Sequence, residues 1–182
     1  MLASARVLAL DLSGTVGWCV GRLHTSDPEA FGARELPTRV DEGERFAAFR
    51  DFVEDTVAHW QPALMILEAP MRLAALAERS TIGVVTQQMT LRGIAFMEAW
   101  HAHLPQPEEV SAERVRKALL GRARFPKKGD VKTAVVDFCH AQGWQVSDHN
   151  AADACLTWAW RARQVRKTVR RRSDFLFDLE GT

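Results

Sequence analysis

The chain has 182 residues, which fits one domain and excludes a large two-lobed enzyme. Apolar residues make up 47%, enough to bury a sizeable core, so wholesale disorder is excluded. The net charge of +1 argues against an unusually basic nucleic-acid binder, but it averages a split: residues 1–110 hold 9 Lys and Arg against 15 Asp and Glu, and residues 111–182 hold 15 against 8.

The run RVLALDL (6–12) is short, apolar and carries an acid near its end, as in a central strand covered on both faces. Ser13-Gly14-Thr15 is a turn signal, and VGWCVGRL (16–23) reads as the second strand of a hairpin. A third strand is expected near 30–36. Across 41–60, Phe46, Phe49, Val53, Val57 and Trp60 recur at three- and four-residue spacing, which predicts a helix ended by Gln61-Pro62. ALMILE (63–68) is a second central strand, again ending in a carboxylate, and Pro70 breaks the chain after it. Residues 80–102 read as a mostly apolar, buried helix in which Gly83 and Gly93 allow close packing. The segment 103–110 is a connector or short strand. Ser111 caps a helix over 112–120, closed by Gly121; a basic loop spans 122–129; a further helix covers 130–142. The polar SDHN (147–150) leads into a last helix, which runs into the basic stretch RARQVRKTVRRR (161–172). The order implies an α/β layer fold, with a mixed sheet and helices on both faces.

Three cysteines (Cys19, Cys139 and Cys155) without a CxxC point away from a disulfide framework or zinc knuckle, and toward a reducing cytosol. No secretory leader precedes the first strand and no run of about 18 uncharged apolar residues occurs, so a cytoplasmic protein is expected.

Two central strands thus each deliver one acid at the carboxyl end, Asp11 and Glu68, where ligands of α/β sheets bind. Asp148, His149 and Asn150 open the last helix, and Asp153 follows one turn in, within the apolar AADACLTWAW. A carboxylate in such a setting is costly unless paired, hydrogen-bonded or metal-bound. Three or four converging oxygen ligands suit Mg²⁺, and two such ions can activate water and stabilise the leaving oxygen of a phosphodiester. Bland readings stand beside these: Asp148 suits a helix cap and His149 a solvated loop histidine. Ser13 and Thr15 serve the turn. Gln88 and Arg92 are read as helix packing or dimer contacts before catalysis. His101 and His103 lack a third ligand and read as surface histidines. The stretch 161–172 carries 7 Lys and Arg of 12 and no acid, which favours phosphate binding.

The combination resembles the RuvC-type Holliday-junction resolvases of the RNase H-like nucleases, in a short phage- or prophage-like form. The matching segments are LALDLSGTVGWCV (8–20), LMILEAP (64–70), TQQMTLRGIA (86–95), VRKALLGRARFPKKGDVK (115–132) and DHNAADACLTWA (148–159), in the family's order and covering most of the chain to about residue 160. The resemblance implies an RNase H-like five-stranded mixed sheet, a nuclease domain over 1–160 and a basic helical extension over 161–182. It implies that Asp11, Glu68 and Asp153 hold Mg²⁺ or Mn²⁺, two ions per site, and that the chain is a homodimer cutting branched DNA to 5′-phosphate and 3′-hydroxyl ends. The family's usual partner of the last acid lies three residues before it; this chain has Asn150 there, and Asp148 or His149 takes that role by reaching in from the preceding loop. The family's aromatic wedge after the Glu is replaced by Met71 and Arg72. Expected DNA contacts are Arg122, Arg124, Lys127, Lys128 and Lys132 in the basic loop, and Arg166, Lys167 and Arg170 in the tail.

Competing classes are a catalytically impaired branched-DNA binder, because Asn150 replaces an acid, and an RNase H-like nuclease on another nucleic acid such as an RNA–DNA hybrid. An ATP-binding protein of the sugar-kinase and actin type shares the Asp-Leu-Ser-Gly-Thr turn, but it needs two lobes, more than this chain provides. Neither a nucleotide cofactor nor a membrane is expected.

Overall fold

The structure is a computed structural model and describes residues 4–70 and 82–180; for Lys128 and residues 169–180 it describes the backbone only. Met71 and Arg72 lie outside the described residues.

Three strands open the chain: β1 (Arg6–Asp11), β2 (Thr15–Arg22) and β3 (Ala30–Glu35). Helix α1 (Glu42–Trp60) follows, then β4 (Leu64–Glu68), α2 (Ile82–His101), β5 (Glu108–Val110), α3 (Ala112–Leu120), α4 (Lys128–Ala141) and α5 (His149–Glu180). The sheet order is β3-β2-β1-β4-β5. β1–β2 and β2–β3 are antiparallel, whereas β1–β4 and β4–β5 are parallel. This is the mixed α/β sheet expected from the order of elements, with the five strands that the resemblance implies.

The alternation of side chains along each strand builds two cores. Leu8, Leu10, Met65 and Leu67 point to one face, where Phe49 and Val53 of α1 and Leu91 and Ala95 of α2 cover them. Val7, Ala9, Leu64 and Ile66 point to the other, covered by Val115 of α3, Val135 and Cys139 of α4, and Ala152, Cys155 and Trp158 of α5. That is why β1 and β4 read as continuous apolar runs. Local signals set the helix ends. Asp41 caps α1 by accepting from the Glu44 N–H at 2.8 Å, and Gln61 ends it in the left-handed region. Ser111 caps α3, and Gly121, at φ 76°, closes it.

Two details of the sequence reading change. First, α2 is not a buried helix. Its Leu91, Ala95, Glu98 and Ala99 are buried, but Ile82, Val84, Met89, Met97 and Trp100 are exposed. Alanine methyls at Gly83 and Gly93 would meet nothing within 4 Å, so close packing within the chain does not require those glycines. Second, the basic stretch is offset in part. The Arg161 Nη2 donates to Glu108 at 2.8 Å, Arg163 to the Ala118 carbonyl at 2.7 Å and Arg166 to the Thr25 carbonyl at 2.8 Å. These bonds lay the middle of α5 against β5, α3 and the loop after β2.

One close approach governs the site. Gly17 of β2 lies against the start of α5: a Cβ there would sit 1.9 Å from the Asn150 carbonyl oxygen. Only glycine lets the small-residue run Ala151-Ala152 reach the sheet this closely.

Candidate active site

Register places the first two acids. Asp11 follows Val7 and Ala9 on their face of the sheet, and Glu68 follows Leu64 and Ile66 on the same face. β1 and β4 pair in parallel as far as Leu10↔Leu67, so the next rung sets Asp11 beside Glu68. That face is the one α5 covers, and Asp153 comes from α5 between buried Ala152 and Ala154.

The three carboxyls act on one another. Burial raises Asp11 well above the usual carboxylate range, and the charges of Glu68, Asp153 and Asp148 raise it further, against Lys132. Glu68 is pushed up to about 7, mainly by burial and then by Asp153, with Arg116 opposing. Asp153 is raised by burial and Asp148, and drawn back by Arg116, His149 and Lys132. Among the described residues, burial and neighbouring charge account for the shifts of all three groups. Their ionised forms are therefore short of partners, which is the condition a bound cation relieves.

Asp148 does cap the helix: its Oδ1 accepts from the Asn150 N–H at 2.7 Å and the Ala151 N–H at 3.4 Å. The His149 Nδ1 lies 4.0 Å from the Asp148 Oδ2. The His149 Nε2 is 2.8 Å from the Lys132 Nζ. In that contact the ammonium donates and Nε2 accepts. Asn150, standing where the family has an acid, is buried and lies 3.4 Å from the Ser13 hydroxyl, which itself donates to the Thr15 carbonyl at 2.6 Å.

Sequence reasoning ranked two neighbours as packing before catalysis and missed a third. Asp11, Leu12, Glu68, Ala69, Pro70, Gln88 and Arg92 line a pocket of about 110 Å³, so Gln88 and Arg92 face the acids and not only a packing surface. The Arg92 guanidinium is fixed by both Glu109 oxygens, at 2.5 and 2.8 Å, and by the Phe96 ring at 4.3 Å. Arg116 of α3 supplies positive charge to Glu68 and Asp153. Its signal was its place on an amphipathic helix just before the basic loop.

Of the expected DNA contacts, Lys127, Lys132 and Lys167 are exposed. Arg124 lies 3.6 Å from Glu113, Arg122 stacks over Phe125 at 5.2 Å, and Arg166 holds the Thr25 carbonyl. The side chains of Lys128 and Arg170 are outside the described ones. His101 and His103 are exposed, as expected, and Cys139 and Cys155 are buried. Among the described residues, no helix is long and apolar enough to cross a membrane.

The donor chemistry fits a hard divalent cation: Asp11, Glu68 and Asp153 are oxygen ligands whose charge needs compensation. Among the described residues, however, no three His, Cys, Asp or Glu side chains are arranged to hold a metal ion as they stand.

No family model matches the sequence, and no curated protein matches it either. Solved structures do. The Thermus thermophilus RuvC in complex with a Holliday-junction substrate aligns over 90% of this chain and 96% of its own, with a TM-score of 0.67 and 16% identity. A second Thermus thermophilus RuvC structure covers 87% and 96%, at 0.65 and 16%. The yeast mitochondrial Holliday-junction resolvase Ydc2 covers 97% and 86%, at 0.65 and 13%. The alignments run almost end to end, and this chain, with α1 and α2 on one face of its β3-β2-β1-β4-β5 sheet and α3, α4 and α5 on the other, has the RuvC-type resolvase fold.

Proposed function

We propose that the protein is a metal-dependent endonuclease that resolves Holliday junctions or other branched DNA. The observation that carries this reading is the gathering of Asp11, Glu68 and Asp153 by sheet register and α5, at the strand ends, buried and only partly compensated by the nearby cations. Likeness to a RuvC bound to a Holliday-junction substrate supports branched DNA as the partner. Asp11, Glu68 and Asp153 would hold Mg²⁺ or Mn²⁺, which when bound supplies Lewis-acid stabilisation at the scissile phosphate. Arg116 stabilises negative charge that builds on the phosphate oxygens. Water attacks phosphorus and the bond to the 3′ oxygen breaks, leaving a 5′-phosphate and a 3′-hydroxyl. Lys127 and Lys167 hold the DNA backbone.

The reading includes a homodimer, since a two-fold pair presents two sites to two strands. The exposed face of α2 suits it. Ile82, at 87% exposure, Met89, Met97 and Trp100, at 73%, fall along one apolar stripe of the helix. Trp100→Glu should convert the dimer to a folded monomer by light scattering; an unchanged mass contradicts this seam.

A second reading, binding without cutting, is favoured by Asn150 and by the use of Asp148 as a cap. Asp11→Asn and Glu68→Gln separate the two. Both variants are expected to bind a four-way junction with wild-type affinity while cutting falls at least a thousandfold. A variant that cuts at the wild-type rate refutes the site, and a wild type that binds but never cuts establishes the second reading.

A further inference from the structure

We propose that Gln88 and Arg92 of α2 hold a phosphate of the bound DNA strand beside Asp11 and Glu68, and that Glu109 of β5 positions Arg92 for that contact. The inference rests on the proposed reading for DNA as the ligand, but its test is a binding measurement that needs no cutting.

Sheet register sets the geometry. β4 and β5 pair in parallel, with Leu67 opposite Glu109 and Glu68 opposite Val110. Side chains alternate along both strands. Val110 belongs to the core under α5, and Leu67 to the core under α1 and α2. Glu109 therefore points to the face that α2 covers, one residue away in the ladder from the level of Glu68.

Helix α2 meets Glu109 there. Gln88, Arg92 and Phe96 recur at four-residue spacing and so lie along one side of the helix. The Arg92 Nε and Nη2 donate to the two Glu109 oxygens at 2.5 and 2.8 Å. The Phe96 ring, itself packed on the core, lies 4.3 Å from the guanidinium carbon. Carboxylate and ring together fix the guanidinium plane. The rotamer entropy that an arginine loses on gripping a ligand is thus already spent on folding.

The pairing leaves donors over. A guanidinium has five N–H groups, and Glu109 takes two. Among the described residues, no hydrogen bond reaches the Arg92 Nη1 or the Gln88 side-chain amide. Both side chains line the pocket of Asp11, Glu68 and Pro70. Donors in such a pocket suit the oxygens of a phosphodiester, whose geometry the planar guanidinium matches. Charge defines the role further. Glu109 offsets the charge of Arg92, so Arg92 orients a phosphate by directed hydrogen bonds and adds little long-range attraction.

The test is a phosphate scan. Four-way junctions with one neutral methylphosphonate at successive positions are bound to the full chain in EDTA, and affinity is read by fluorescence anisotropy. At one position the replacement should weaken wild-type binding about tenfold and leave Arg92→Ala binding unchanged, the coupling that a direct contact gives. Gln88→Ala should show a smaller coupling at the same position. Arg92→Lys can keep a bond to Glu109 but has no fork, so it should stay folded by circular dichroism and still lose the coupling. Glu109→Ala frees a positive charge. It should bind the unmodified junction at least as tightly as wild type, yet lose most of the coupling.

Equal methylphosphonate costs in wild type and Arg92→Ala at every position would overturn the proposal. So would a coupling that survives in Arg92→Lys, which makes Arg92 only a structural tie between α2 and β5, or a coupling to base identity in place of phosphate. Full coupling in Glu109→Ala would overturn the positioning role. Cutting is read separately, with Mg²⁺. A coupled phosphate in a protein that never cuts leaves this inference standing while the nuclease reading falls, and cutting without any coupling does the reverse.

Discussion

Gly17→Ala is the sharpest test of how the sheet and α5 are fitted together. The added methyl would lie 1.9 Å from the Asn150 oxygen, 2.3 Å from its carbonyl carbon and 3.0 Å from the Ala151 nitrogen. All three atoms are backbone, so no side chain can swing aside. Ordinary heavy-atom contacts are about 3.5 Å, so β2 and the start of α5 must separate by roughly 1.5 Å. Overpacking of this kind costs about 1–3 kcal/mol, and a backbone obstacle puts this case near 3 kcal/mol. For a chain of this size each kcal/mol moves the melting temperature by about 2–4 °C, so a fall of about 6–12 °C is expected by circular dichroism in EDTA. Gly17 is also the register partner of Asp11, and the displaced turn carries Asp148 and Asp153. A misplacement of about 1 Å costs roughly a hundredfold in rate, so cleavage should fall further than stability explains. Gly83→Ala, where the methyl meets nothing within 4 Å, is the control and should melt at or slightly above wild type. A Gly17→Ala protein that melts within 2 °C of wild type refutes this packing.

Other outcomes follow from the same geometry. Asp11, Glu68 and Asp153 all bind protons more tightly folded than unfolded. Their stabilising contribution is complete below the unfolded carboxylate range of about 4 and is lost as pH rises, for Glu68 through about 7. Melting temperature in EDTA should therefore fall from pH 5 to pH 8, Mg²⁺ should restore most of it, and a flat EDTA profile would contradict the buried, partly compensated cluster. On junction DNA, Lys127→Ala and Lys167→Ala should each reduce the slope of log affinity against log salt by about 0.9. Arg161→Ala should instead lower the melting temperature with little change in slope, because its charge is committed to Glu108.

What the sequence disclosed, and what it hid, follows from the range of each signal. The strands of Asp11 and Glu68 were legible because burial on both faces makes an unbroken apolar run, and an acid at its end stands out. The helix over 41–60 was legible because Phe49 and Val53 repeat at the spacing of one buried face. The exposure of α2 was not legible: an apolar helix reads as buried whether its partner is its own chain or none. Arg116 was overlooked because an arginine on an amphipathic helix reads as a solvated face until the neighbouring strand supplies Glu68. Lys132 was expected on DNA, yet its fixed contact is His149, a pairing between two helices that no local pattern encodes. The basic stretch looked free because its offsetting groups, Glu108 and the Ala118 and Thr25 carbonyls, lie far away in sequence.

The central claim is metal-dependent cutting of branched DNA, and a strand-resolved cleavage assay on a synthetic four-way junction tests it most directly. Three-way, flap and linear duplex DNA of matched sequence, each with Mg²⁺ or EDTA, complete the panel. The account predicts paired, symmetric nicks in the four-way junction with Mg²⁺, leaving 5′-phosphate ends, little cutting of the linear duplex, and none in EDTA. Equal cutting of linear and branched DNA, or cutting that persists in EDTA, would contradict it.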